Sequence, residues 1–534
     1  MGVLTLSACG GGESRVAQGT RDGILQFGND AEPENLDPHL VTGLTEHKIL
    51  ISLFEGLVGL SVESLEVVPG VAERWVVSED GTIYTFHLRE NARWSNGDPL
   101  VAGDFVYAWK RILTPNLGSE YAYMLHVMKG AKEYNEGTLT DFEQVGVKAL
   151  DDRTLKVTLN NPTPYFLSMQ IHYTWYPLNQ RAVEAHGASD DPTNRWTRAG
   201  SHVGNGPFRL VEWEPNRIIS TVKNEHYWDV DAVQLNGINF YPISDQLTAE
   251  RSFRAGDLHF SSDVPITKVQ GYLDSNSDLM KVHSIYGTYY YRINATRGPL
   301  TDVRVRKALA LTMDREAITG QIMKAKQRPT GSLCPPGAGY EPRHAIEHNV
   351  EEAKRLLAEA GYPNGEGLPE LRLLYNTSED HKIVAEAFQD MWRRELGVSV
   401  TLENQEWQVY LNSTSSLDYD ICRAGWYGDF LDPINFLECF VTDGGNNRTG
   451  WSDPEFDALL EQARATFDPE ARFELLQQAE ALLMDGAVVI PIYNYSRKIL
   501  VSPDVKGWHP NPLAHVPYKE LHLEASKELQ LEAS

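Results

Sequence analysis

The apolar positions of this 534-residue chain repeat with two periods, and the places where one period gives way to the other mark its elements. ILQFGN at 24–29 reads as a strand running into AEPENLDPHL, a turn-rich stretch punctuated by two prolines. Positions 46–60, ending in LFEGLVGL, follow the 3.6-residue period of an amphipathic helix. From 68 to 109 the period falls to two: TIYTFHLRENARW is strand-like, and SNGDP is turn chemistry. Asp104 stands where the helix FVYAWKRIL needs an N-cap. VKALDDRTLKVTLNN reads as a hairpin turning at Asp151 and Asp152.

Beyond residue 200, GNGPFRLVEWEPNRIISTVKNEHYW predicts two strands joined at EPNR, and GINFYPI predicts a short buried strand. SDQLTAERSFRAGDL predicts a helix closed by a glycine. A new block opens at Tyr289. YYYRIN reads as a strand, TDVRVRKALALTMDREAITGQIM as capped helices, and 351–360 as a helix stopping at Gly361. LRLLYNTS is a strand, HKIVAEAFQDMWRREL a strongly amphipathic helix, and VSVTLENQEW a further strand. That order predicts an α/β domain with a mixed sheet. The ending, KELHLEASKELQLEAS, is polar and reads as an exposed tail.

Length and composition narrow the class. Material for three or four domains at roughly 100–200 residues each gives a core that needs no disulfide or metal staple. The net charge of −26, from 48 basic and 74 acidic residues, argues against nucleic acid and against an anionic lipid surface. No apolar run is long enough to span a membrane. Near the N-terminus, Leu6-Ser7-Ala8-Cys9 resembles a bacterial lipobox, which makes Cys9 a lipidation candidate and 10–23 a flexible tether. Cys334, Cys422 and Cys439 show no metal-ligand spacing; one bridge among them and three buried thiols both fit.

Enzyme signatures are missing: there is no H-E-x-x-H, no phosphate-binding loop, no G-x-S-x-G elbow, and the histidines are scattered. The unusual stretch is RAGWYGDFLDP at 423–433, where an arginine, a tryptophan, a tyrosine and a carboxylate crowd into a glycine-bounded loop. Catalysis, a sugar platform and a clamp for a charged ligand would all use these residue types. Trp407 and Trp426 lie at the ends of predicted strands in the α/β block, where such domains place ligand crevices.

These motifs, in this order, resemble the oligopeptide-binding solute receptors of ABC importers. AEPENLDPHL and LFEGL are followed by SEDGTIYTFHLRENARWSNGDPLVAGDFVYAWKR, VGNGPFRLVEWEPN and YYYRINATRGPLTDVRVRKALALTMDR. EAKRLLAEAGY, LLYNTSEDHK, LENQEW, RAGWYGDFLDP and VVIPIYNY complete a likeness that runs from about 24 to about 523. The resemblance implies a two-lobed, hinged, periplasmic-binding-protein-like (type II) α/β fold with three domains. Domain I would be discontinuous, over 24–54, 200–285 and 498–523; domain II would be 55–199 and domain III 286–497, with a tail at 524–534. It also implies short peptides as ligands and an ABC permease as partner. The protein would be monomeric, would use no cofactor, and would face the periplasm or the outside of the cell membrane.

By the same resemblance Asp429 would meet the ligand's α-ammonium, and Arg423 a ligand carboxylate or a pocket acid. His381 would meet the C-terminal carboxylate of longer peptides. Trp426 and Trp407 would wall side-chain pockets; Tyr121, Tyr290 and Tyr495 would line the cleft, with Gly425 and Tyr427 in the same motif. Two basic positions of the family's carboxyl-end grip are Met323 and Thr414 here, with Lys324 a neighbouring substitute, and a cysteine pair of some members falls on Gly287 and Tyr427. An amino-end clamp with a weakened carboxyl-end grip would also suit another amino-bearing solute, such as a murein peptide or an opine. An extracytoplasmic peptidase is the rival from another class.

Overall fold

In the computed structural model of the chain, which describes residues 13–525 apart from Val62 and Asn276, the segments of period two form chiefly two sheets. The larger is 11-stranded. From one edge it runs Val400–Gln405, Leu371–Asn376, Ile421–Tyr427, Met280–Ile293, Val489–Val501. It continues through Phe260–Ser261, Ile24–Gly28, Gly237–Tyr241, Ile218–Lys223 and Phe208–Glu214, with Arg328–Pro329 set off against Val489–Val501. The sheet is mixed: Ile24–Gly28 and Leu371–Asn376 are each parallel to both neighbours, and the long central pair is antiparallel. Helices cover both faces, so strands such as Met280–Ile293 carry consecutive buried residues (Tyr289, Tyr290, Tyr291) in place of alternation.

Met280–Ile293 and Val489–Val501 join the two halves of this sheet. Their register is regular from Met280↔Leu500 to Ser284↔Ser496 and resumes at Thr288↔Asn494, so Ile285, Tyr286 and Gly287 oppose Tyr495 alone. Such an irregularity bends and twists a ladder locally. On the far side, Leu309, Val384, Phe388 and Trp392 pack with Tyr291 and Leu373 into a core separate from the one behind Ile24–Gly28. The parts of the sheet on either side of this long pair belong to the two lobes. A second sheet of four antiparallel strands, ordered Ala72–Val77, Ile83–Leu88, Thr154–Thr158, Val147–Asp151, forms an outlying layer packed with the helix Ala102–Leu113.

Several expectations are corrected. The helix over 46–60 is Leu44–Leu53; after it, Val58–Leu60 pairs as a strand with Val67–Pro69. Gly56 between them sits where a Cβ would lie 2.9 Å from the Gln170 carbonyl oxygen, so this apolar stretch is set by close tertiary packing. Asp104 is not the N-cap but sits in the first turn of Ala102–Leu113, reaching back to accept from the Val101 N–H at 2.9 Å and Trp94 Nε1 at 3.1 Å. The tether expected over 10–23 is ordered from Ser14 onward. Ser14 caps the helix Arg15–Asp22, Val16 is buried, and Thr20 Oγ1 donates to Asp504 at 2.8 Å. Its amphipathic spacing, short and polar, passes for a linker until a surface is present to dock against. The strand ending at Trp407 stops at Gln405, and Trp407 opens a helix, Trp407–Ser415, capped by Glu406. Cys9 and the tail from 526 lie outside the described residues. Cys334, Cys422 and Cys439 are buried free thiols, which resolves the two alternatives.

Candidate ligand-binding site

Between the lobes lies a cavity of about 340 Å³. One wall is the strand Ile421–Tyr427, formed from the RAGWYGDFLDP stretch. On one side it pairs along its full length with Met280–Ile293, from Gly287↔Tyr427 to Ile293↔Ile421. On the other side Leu371–Asn376 reaches it only at Leu373↔Ile421 and Leu374↔Cys422. Past Cys422 no strand pairs with this edge, and 423–429 all line the cavity. An unpaired strand edge presents a row of main-chain donors and acceptors, a template for a further extended chain.

Side chains alternate about that edge. Arg423, Gly425 and Tyr427 share one face with Tyr495: Arg423 Nη2 donates to its hydroxyl at 2.9 Å, and the Tyr427 and Tyr495 rings lie 4.6 Å apart. Gly425 is required there, because a Cβ would occupy the place of the Tyr495 hydroxyl. Trp426 faces the other way, donating from Nε1 to Asn435 at 2.9 Å and packing near Tyr121.

Asp429 closes the edge. Its N–H donates to Asn435 Oδ1 at 3.0 Å and Asn435 Nδ2 donates to its Oδ2 at 3.0 Å. Its other oxygen faces His172 Nε2 at 3.4 Å across the lobe boundary. The Nδ1 of that ring lies 3.1 Å from the Thr174 hydroxyl and 3.5 Å from the Thr174 N–H. Burial lowers the His172 pKa to about 3, leaving the ring neutral. The carboxylate side chain is 11% exposed with no cation within ion-pair distance among the described residues, and burial raises its pKa to about 7. A carboxyl held this way is costly in its charged form while no cation reaches it.

At the other end, Arg423 reaches Asn376 at 3.3 Å and lies over the Tyr289 ring at 5.0 Å, with Nε unbonded and no carboxylate partner among the described residues. His381, in the first turn of Glu379–Leu396, lines the cavity beside it, with Nδ1 3.4 Å from the Tyr289 hydroxyl. Burial, then the nearby Arg423, hold its pKa well below the usual histidine value. Two complementary ends, one anionic and one cationic, face one cavity. Among the described residues no group of His, Cys, Asp and Glu is arranged to hold a metal.

Trp407 and Tyr121 line the cavity as well. Tyr290 does not: it is fully buried, with its hydroxyl accepting from Arg292 Nη2 at 3.3 Å. It shares the face of Arg292 and Trp426, but its ring is packed in the core near Phe440, with centroids 6.2 Å apart. Lys324 is exposed in a left-handed turn (φ 53°) and is no substitute for the lining residue Met323. Thr414 is buried and accepts from Arg448 Nη1 at 3.2 Å, so a guanidinium from another segment reaches that place. Gly287 and Tyr427 are cross-strand partners, the geometry a bridge there would need. Sequence reasoning missed His172, Asn435, Arg292 and Arg448. Only Asn435 lies near the motif, and the others carry no local signal.

A hinged α/β molecule enclosing such a cavity is a two-lobed solute receptor of the extracytoplasmic type. The chain belongs to the bacterial extracellular solute-binding proteins, family 5, whose middle-region model matches residues 66–448. It is 38% identical over 530 residues to the oligopeptide-binding protein OppA of Bacillus subtilis, covering 95% of this chain and 94% of that one. Haemophilus influenzae OppA in complex with RPPGFSPFR superposes with a TM-score of 0.88 at 34% identity, over 94% of this chain and 99% of that one. The Escherichia coli murein tripeptide binding protein MppA superposes with a TM-score of 0.89 at 35% identity, over 94% and 98% of the two chains. MppA in its unliganded open form, at the same 35% identity and over 94% and 97%, reaches only 0.63. At equal identity, the chain superposes less well on that open form.

Proposed function

We propose that this protein is the substrate-binding component of an ABC importer that captures short peptides in extended form between its lobes. The observation that carries the reading is the unpaired edge at 423–427, ending at a buried carboxylate that has no cation. A peptide laid along it would complete the edge with main-chain hydrogen bonds, set its ammonium on Asp429 and turn its carboxylate toward Arg423 and His381. Side chains would enter pockets walled by Trp426, Trp407 and Tyr121. Affinity would come from groups common to all peptides, and closure from contacts that exist only with the lobes together. The names of the relatives, oligopeptide-binding and peptide-complexed, support it.

On this reading the protein performs no turnover, works as a monomer and hands its ligand to a membrane permease. We assign 24–54, 200–285 and 498–523, with 55–199, to one lobe and 286–497 to the other; the two long strands crossing the sheet support that division. We further propose that Cys9 of the lipobox-like stretch carries a lipid, to be checked by its mass on the membrane-extracted protein.

Native mass spectrometry of the purified protein, followed by acid release and sequencing of what it holds, tests the function. A ladder of mixed short peptides is the expected result. A single non-peptide amine, or an empty protein indifferent to a peptide mixture, overturns it.

A further inference from the structure

Of the four arginines that line the cavity, Arg497 bonds the Ala514 carbonyl, and the other three, Arg292, Arg423 and Arg448, lie around Tyr410 and Cys422. Of the three, Arg448 is paired, with Glu120 from the facing lobe. Arg423 serves the carboxyl end in the reading above. Arg292 has neither role. It is 6% exposed, and among the described residues its Nε has no hydrogen-bond partner and its side chain makes one bond, the 3.3 Å contact from Nη2 to the Tyr290 hydroxyl. Its neighbours in the fold are tyrosines and a cysteine, and no carboxylate pairs with it among the described residues. A buried guanidinium with most donors unused is costly unless a partner arrives.

Register says which partner could. Arg292 stands opposite Cys422, so it lies on the face of the edge that carries Trp426, opposite to the face of Arg423. A peptide along 423–427 would send alternate side chains to these two faces. Arg292 would therefore meet a side chain, and the C-terminal carboxylate would go to Arg423. We infer that Arg292 forms an anion-binding side-chain subsite, which makes peptides bearing an acidic side chain the preferred ligands of this receptor. The inference rests on the peptide-binding reading. Because Arg292 is registered at the end of the edge away from Asp429, the acidic residue belongs at the third position of the peptide or beyond.

The test is isothermal titration of the ligand-stripped protein with alanine-based tetrapeptides and pentapeptides carrying Glu, Gln or Lys at each position in turn. At one position from the third onward, Glu should bind about tenfold or more tighter than Gln, and Lys more weakly than Gln. In Arg292→Met the Glu-to-Gln ratio at that position should fall to about one, and Arg292→Lys should retain part of it. The wild-type scan stands alone if Arg292→Met does not fold. A Glu-to-Gln ratio within about twofold at every position, with tight binding of the alanine peptides, overturns the subsite and leaves the peptide reading standing. A preference that survives Arg292→Met also overturns it. Failure of every peptide to bind overturns the peptide reading, and this inference with it.

Discussion

At the scale of single residues the site works by leaving charges incomplete. Asp429 is ionised at neutral pH only at a cost, since burial has moved its pKa to about 7. Binding an ammonium pulls that pKa down, so below about pH 7 binding must release a proton. Peptide affinity is therefore expected to fall as pH drops through 7, approaching about tenfold per unit, and to fall again above about 8 as the peptide amine deprotonates. Titration calorimetry across pH 5–9 checks both limbs; a flat acid limb contradicts the clamp. Asp429→Asn keeps the volume and removes the charge. It should weaken peptide binding by more than about 2 kcal/mol. It should also flatten the pH dependence of the unliganded protein's stability between about pH 4 and 7. A carboxyl whose folded pKa lies above its unfolded value gives up its stability contribution as pH rises through 7, and the amide does not titrate there. Equal affinities, or an unchanged pH dependence of melting, would count against this account.

At the scale of elements the unit is the strand Ile421–Tyr427, which has a partner on one side and half a partner on the other. If ligand main chain completes it, methylating one peptide nitrogen that faces the edge should cost about 1–2 kcal/mol, while methylation of nitrogens facing away should cost little. A uniform response along the peptide would argue against strand addition. The closed side is tightly set as well: a Cβ on Gly287 would lie 2.7 Å from the Trp426 carbonyl oxygen. Gly287→Ala is expected to lower stability by more than about 1 kcal/mol, read as a lower urea midpoint at unchanged slope. The helix Trp407–Ser415 belongs to this scale too. It delivers Tyr410, whose hydroxyl donates to the Arg423 carbonyl, so it helps end the paired part of the edge.

At the scale of the whole molecule, function requires the lobes to separate and return. The irregular ladder between Ser284 and Thr288 lies where the chain passes between them. Contacts that hold this arrangement come from both sides: His172 on Asp429, Glu120 on Arg448, and the Lys498 ammonium on Asp380 at 2.7 Å. Solution scattering of the stripped protein should show a larger radius of gyration than the present arrangement allows, shrinking on addition of peptide. No change with ligand would contradict a closure-based receptor.

Much of this was legible in the sequence. Hairpins such as 147–158, the helix Glu379–Leu396 and the strand Leu371–Asn376 follow from periodicity and turn chemistry, which act between near neighbours. The ends of the site, Arg423 and Asp429, fall within one short motif and could be singled out before any fold was known. The sequence by itself determined the α/β class and most of the order of elements, and it set Arg423 and Asp429 in one stretch. Only the tertiary structure decided that Tyr290 is packed away from the cavity, that 44–60 splits into a helix and a strand, and that Arg15–Asp22 is a docked helix. Only it brought His172 to Asp429, Arg448 to Thr414 and Arg292 to the cavity unpaired. Those outcomes depend on which surface meets which across the lobes. Burial, lost hydration and charge pairing are set by residues far away in the chain, and no local pattern records them.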